Sequence, residues 1–268
     1  MALAIIALAA FGGRLPGFAL AGAIAERIIC AAGIGGDCGE ASELELTYGA
    51  EVAGARERHA PLLDYERGMR ALPVDYRSCR EDACAEGPAE GPVTDSLAGE
   101  PVTAFVRVVD CRDRTAPPPD ADCSGNRSGF LYLQYWLYYP GSSTRTWGEA
   151  GSHPDDFESF QVRIGPGGRA ESRASSHHGY NGRSGNWLSD TGVVGAAAWT
   201  PDTGRYTISG GSHAGRVGSG LPPSRWTAPG AIRLIPIESL GARDRATSFA
   251  VTPPWLKDVY SDPESKET

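Results

Sequence analysis

The run Phe130-Leu-Tyr-Leu-Gln-Tyr-Trp-Leu-Tyr-Tyr139 limits what this chain can fold into more than any other stretch. A strand with one wet face alternates apolar and polar residues, because successive side chains point to opposite sides. This run is apolar on both faces, with Gln134 the one fully polar interruption. It therefore asks for cover on both sides and reads as a central strand. Pro140-Gly-Ser-Ser143 ends it. The chain holds 35 glycines and 20 prolines in 268 residues, a composition of many short strands and turns rather than long helices.

Further strands are expected at Val102 to Val109, at Ser159-Phe-Gln-Val-Arg-Ile164 and at Ala231 to Ile237, where Pro236 points to a sheet edge or a strand end. Gly165-Pro-Gly-Gly168 between Ile164 and Ala170 marks a hairpin, and Thr200-Pro-Asp-Thr-Gly204 marks a second. The fold class that follows is all-β with minor helices. Its architecture is an antiparallel two-sheet β-sandwich over residues 60–255, preceded by an N-terminal apolar helix. Residues 36–59 read as a helical linker and 256–268 as a disordered tail.

The candidate site is His153-Pro-Asp-Asp-Phe-Glu158. In an extended chain Asp156 and Glu158 share a face with Phe160, Val162 and Ile164, the apolar side. Carboxylates leading into a core-facing row are costly unless an arginine, a proton or a cation neutralises them. Arginines such as Arg163 or Arg173 are candidate partners in a structural network. His153 stands just upstream, and the two hairpins can bring His177, His178 and His213 to the same end of the sandwich, which makes a cation a serious candidate beside ion pairing. His59 reads as structural.

Six cysteines fall in three close pairs, Cys30/Cys38, Cys79/Cys84 and Cys111/Cys123. No CxxC unit is present, so disulfides and an oxidising, extracytoplasmic location are favoured over zinc. Residues 1–35 read as an apolar membrane anchor or export segment, with a buried alanine-rich helix of the domain as the alternative: Met1 to Ala25 carries one charge, Arg14, over a length that suffices for a membrane span. The net charge is −8, and Lys257 and Lys266 are the only lysines. With no basic stripe, a nucleic-acid partner is not expected. The arginine-rich, lysine-poor composition resembles the coding bias of a high-GC bacterial genome.

Gln134 to Tyr180 resembles the necrosis- and ethylene-inducing peptide-like (NLP) family. Tyr135-Trp-Leu-Tyr-Tyr-Pro140 matches that family's aromatic strand. Ser152-His-Pro-Asp-Asp-Phe-Glu158 matches its Gly-His-Arg-His-Asp-Trp-Glu heptapeptide, and Ser175-Ser-His-His-Gly-Tyr180 matches its Ser-Ala-His-Gly-Gly-Tyr strand end. The resemblance implies a β-sandwich with a divalent cation in an acidic cavity, and for secreted members damage to plant membranes through sphingolipid head groups. Carried over by position, His153, Asp156 and Glu158 are the metal ligands. Asp155 replaces the family's second His and Phe157 its Trp. Ser142 falls where the family has a further aspartate, with Glu149 a candidate substitute.

The candidate site therefore comprises His153, Asp156 and Glu158, with Glu149, Asp155, His177, His178 and His213 as additional members. Oxygen-rich ligands suit Ca²⁺, Mg²⁺ or Mn²⁺ and added imidazoles shift the preference toward Zn²⁺ or Fe²⁺, so Ca²⁺ or Mg²⁺ is expected first, then Mn²⁺ or Zn²⁺. Three functional classes follow. One is an extracytoplasmic module binding a polar glycan or lipid head group in an acidic cavity. Another is a metal-dependent hydrolase at the same residues. The third is a structural cell-surface protein without an active site. No GxSxG elbow occurs, neither lysine sits in a phosphate loop, and no GxGxxG follows a strand and opens a helix.

Overall fold

The structure is a computed structural model that describes residues 42–113, 118–146, 149–176, 199–218, 223 and 225–265. It divides into two compact units, 1–58 and 59–268. In the first unit two short helices are described, α1 (Glu43–Tyr48) and α2 (Ala50–Arg58). Ser42 starts α1 with a reciprocal capping box: its hydroxyl accepts from the Glu45 N–H, and the Glu45 carboxylate accepts from the Ser42 N–H. Among the described residues no helix is long and apolar enough to cross a membrane. Met1 to Ala25, Cys30 and Cys38 lie outside the described residues.

The second unit is a β-sandwich. Its strands are β1 (Leu62–Tyr65), β2 (Gly91–Val93), β3 (Thr103–Asp110), β4 (Leu131–Thr146), β5 (Glu149–Ile164) and β6 (Ala170–Ser176). They continue with β7 (Thr200–Pro201), β8 (Arg205–Ile208), β9 (Gly215–Val217), β10 (Arg225–Thr227) and β11 (Arg233–Pro236). One sheet runs β11-β3-β4-β5-β6-β7 and the other β2-β10-β1-β8-β9. Strand β4 lies inside the larger sheet, with Tyr132, Leu133, Tyr135, Trp136, Leu137, Tyr138 and Tyr139 all buried, as the two-faced apolar run requires. Burying each such ring contributes roughly 2–3 kcal/mol.

The sheets are mixed rather than purely antiparallel. β1 pairs parallel with β8, β2 with β10 and β3 with β11. Each of these pairs is separated by a long stretch of chain, which is what a parallel pairing needs. The hairpin at Gly165–Gly168 forms as expected, with Gly167 and Gly168 in the left-handed region that its turn demands. The hairpin expected at Thr200–Gly204 does not form. Thr200–Pro201 instead pairs with β6 at the sheet edge, where proline's missing N–H goes unneeded, and β8 belongs to the other sheet. Asp202 makes the crossing, accepting the Gly204 N–H at 2.9 Å and a bond from His59 at 3.0 Å.

Two layers fill the two faces of the larger sheet. Between the sheets, Phe160 meets Tyr135 and Tyr206 with ring centroids 6.2 and 5.6 Å apart. On the outer face, Tyr76, Phe105, Tyr138, Phe157, Phe249 and Trp255 form a continuous aromatic cluster. The segment expected as a disordered tail is ordered through Ser265. Its backbone supplies the Val259 carbonyl to Gln134 and the Pro263 carbonyl to Arg173, and Glu264 accepts from Tyr132, Arg163 and Trp199. Those buried polar groups need partners, and the polar tail provides them.

Candidate functional site

Strands β4 and β5 form a long hairpin in continuous register, with Tyr139 opposite Asp156, Gly141 opposite Pro154 and Ser142 opposite His153. At Asp155 the backbone turns to φ 58°, a left-handed conformation that aspartate tolerates better than most residues. Its carboxylate points to the outer face. There it accepts from Tyr138 at 2.6 Å, Arg80 at 2.8 Å and the Ala250 N–H at 2.8 Å. Burial raises the Tyr138 phenol, and the bond to Asp155 raises it further. Asp155 is thus anchored on the outer face by these three bonds.

Asp156 and Glu158 face the interior between the sheets, at 0% and 1% exposure. The alternation expected from the sequence holds, and Phe160 and Val162 are buried beyond them. The arginines do not join them on that face. Arg163 pairs with Glu171 and Glu264, and Arg173 bonds Gln161 and the Pro263 carbonyl.

His213 arrives from the turn between β8 and β9 with φ 56°. Its Nδ1 donates to Asp156 Oδ2 at 3.0 Å, and its ring stacks on Tyr139 at 4.0 Å with a 14° tilt. One imidazole therefore engages both members of a cross-strand pair. Buried Tyr139 and Tyr206 surround the carboxylates. Burial pushes both phenols well above their ordinary range, and the nearby Glu158 and Asp156 charges add to it.

A cavity of about 490 Å³ opens at this end of the sandwich. Its walls include His153, His213, Ser142 and Ser152 on one side and Arg80, Glu81 and Asp82 on the other. His153 donates Nδ1–H to the Asp155 carbonyl at 2.8 Å. The Arg80–Asp82 wall lies in a loop closed by the Cys79–Cys84 disulfide. Nothing in the sequence reading reached this wall, although a cysteine pair bracketing Arg-Glu-Asp was the available signal.

No protein-family model and no curated protein matches the sequence. Among solved structures, the chain is similar to NLPPya in complex with mannosamine, at 17% identity, covering 75% of this chain and 82% of that one, with a TM-score of 0.40. It is similar to NLPPya in complex with glucosamine at 16% identity over the same shares, with a TM-score of 0.38. A structure described as a toxin fold for microbial attack and plant defense is also similar, at 17% identity, the same coverage and a TM-score of 0.38. The similarity is one of fold.

A ligating imidazole characteristically donates its other ring N–H to a carboxylate, which is the relation between His213 and Asp156. Among the described residues, no three His, Cys, Asp or Glu side chains already converge as a ligand set. The structure brings Asp156, Glu158 and His213 to one interior face and sets His153 on the cavity wall. Glu149 lies on β5 with only its main chain described. His177 and His178 lie outside the described residues, directly after Ser176, which pairs with Glu158. Cys111–Cys123 is the second disulfide, and both bonds fit an extracellular, oxidising compartment.

Proposed function

We propose that this chain binds a divalent cation, Ca²⁺ or Mg²⁺ in preference to Mn²⁺ or Zn²⁺, and through it a polar glycan or lipid head group. The observation that carries this reading is His213, which lines an open cavity while buried Asp156 holds its Nδ1 from behind. His213 would offer Nε2 to the cation while Asp156 orients its ring from behind, Glu158 would lend its charge, and His153 stands at the cavity wall. The cation would supply a positive centre for ligand hydroxyl or phosphate oxygens, and the protein's own part is to orient the imidazole and exclude water from the carboxylates. Hard cations favour such oxygen donors and retain waters where the protein supplies few ligands.

A second reading rests on the same pair. A carboxylate that fixes the tautomer of an imidazole also prepares it as a general base, so hydrolysis at this cavity is the alternative. Metal content of the purified protein, before and after chelation, tests the first reading. Stoichiometric, chelator-sensitive metal that falls in Asp156→Ala supports it, and equal content in that variant rejects the ligand assignment. Retention on glycan or lipid arrays without turnover of esters, phosphodiesters or glycosides separates binding from hydrolysis. An extracytoplasmic site of action accords with the disulfides, and membrane attachment through residues 1–35 is part of the same proposal.

A further inference from the structure

The cavity wall facing His153 is the loop Cys79-Arg-Glu-Asp-Ala-Cys84, held closed by its disulfide. Asp82 begins a four-residue helical turn, Asp82–Ala85, that rests on β4. Its carboxylate lies against the backbone of Gly141: a Cβ built there would meet Asp82 Oδ1 at 2.9 Å. A methyl group there would push the exposed carboxylate aside at little cost to the strand. Gly141 neighbours Ser142, whose cross-strand partner is His153. Asp82 thus stands beside the His153 level of the site.

Two observations point to a ligand here. The Asp82 carboxylate has no ion pair or hydrogen bond among the described residues, and the nearest cation in the loop, Arg80, is engaged by Asp155 at 2.8 Å. His213, only 6% exposed, lines the same cavity with Nδ1 committed to Asp156, and its Nε2 has no partner among the described residues. A carboxylate oxygen and an imidazole lone pair therefore face one water-accessible space. We infer that Asp82 is a cation-binding residue of this cavity, supplying from the disulfide loop a carboxylate that the β4–β5 hairpin lacks. This inference rests on the cation reading above. A cavity of about 490 Å³ leaves room for bound waters, so a hydrated cation spans donors that do not touch one another.

Calorimetric titration of the intact protein with Mg²⁺, Ca²⁺ and Mn²⁺ tests it in wild type, Asp82→Asn and Gly141→Ala. Asp82 is exposed, so the asparagine variant retains the fold, which near-UV circular dichroism checks. Gly141→Ala leaves the carboxylate in place chemically and displaces it by crowding. Affinity is expected to fall at least about tenfold in Asp82→Asn and in the same direction in Gly141→Ala. Wild-type affinity in both folded variants would overturn the role of Asp82 and leave the cation reading standing. Absence of cation binding by wild type would overturn both.

Discussion

His213 donates Nδ1–H to Asp156 Oδ2 at 3.0 Å while its ring lies on Tyr139, the residue directly across the strand pair from Asp156. The pair fixes both the tautomer and the plane of the imidazole, leaving Nε2 as the atom His213 can offer. Asp156→Asn keeps the shape and removes the charge that selects this tautomer. Cation affinity, measured by titration calorimetry, is expected to fall roughly 10- to 100-fold. His213→Asn, which tolerates the same left-handed backbone, is expected to lose a comparable amount. Unaltered affinity in both variants would show that the pair is purely structural.

Asp155 makes the opposite prediction from its neighbour. Its carboxylate joins Arg80, Tyr138 and the Ala250 N–H on the outer face. Asp155→Asn preserves a residue suited to φ 58° and weakens charge-assisted bonds, so it costs about 2–3 kcal/mol of stability. A lowered urea midpoint with cation affinity unchanged is the expected result. Loss of cation affinity at a wild-type midpoint would mean that Asp155 belongs to the site after all.

Much of the frame was legible because it rests on local alternation. The doubly apolar run of β4, the Gly165–Gly168 turn and the inward pair Asp156 and Glu158 each follow from a period of two. Non-local pairings were not legible. The parallel partners β1 and β8 lie more than a hundred residues apart, and no periodicity says which distant strands meet. The same blindness hid the Thr200–Gly204 crossing, since turn residues look alike whether the chain returns to the same sheet or changes sheet. The left-handed turn at Asp155 was not legible either, because a motif gives residue type and order but not a backbone flip. The Tyr139 platform under His213 depends on a turn that reaches it from the second sheet.

Lys257 gives a pH signature. It is 5% exposed, lies over the Trp136 ring at 5.4 Å, and burial lowers its amine to about 8 against the opposing pull of Glu158 and Asp156. Below pH 8 both folded and unfolded chains carry the charge, and the folded chain bears the cost of burying it. Between pH 8 and 10.5 the unfolded chain holds a proton that the native one lacks, so this contribution to stability rises with pH. The full change is on the order of 3 kcal/mol. Lys257→Met should be more stable than wild type at neutral pH, and the difference should shrink as pH rises through this window. Urea unfolding at a series of pH values measures it, and a difference that stays constant from pH 7 to 10.5 would remove Lys257 as its source.

The Cys111–Cys123 disulfide joins the end of β3 to a loop that packs with Val109 and Tyr132. Closing a loop of this length constrains the unfolded chain by about 3 kcal/mol, so Cys111→Ser/Cys123→Ser should lower the unfolding free energy by that amount. The cavity lies on other elements, and cation titration of the folded variant should match wild type. A stability loss below about 1 kcal/mol would indicate that residual structure already constrains the reduced loop.

Gly215 sets how closely the second sheet approaches the site. A Cβ at this position would fall 1.7 Å from Tyr206 Cζ and 2.0 Å from its hydroxyl oxygen, so Gly215→Ala cannot be accommodated without moving Tyr206. Tyr206 packs edge-on against Phe160, and Gly215 pairs with Ile208 at the base of the turn carrying His213. Any shift of the ring therefore disturbs both the interior layer and the turn. A loss of about 3 kcal/mol or more is expected. Tyr206→Ala makes room for the new methyl but leaves a cavity, so each single variant is damaged for an opposite reason. In the double variant the methyl partly fills that space, and the combined loss should be smaller than the sum of the two, a coupling that a double-mutant cycle reads directly. Strict additivity would show that the clash relaxes elsewhere, through the backbone of the turn rather than through Tyr206.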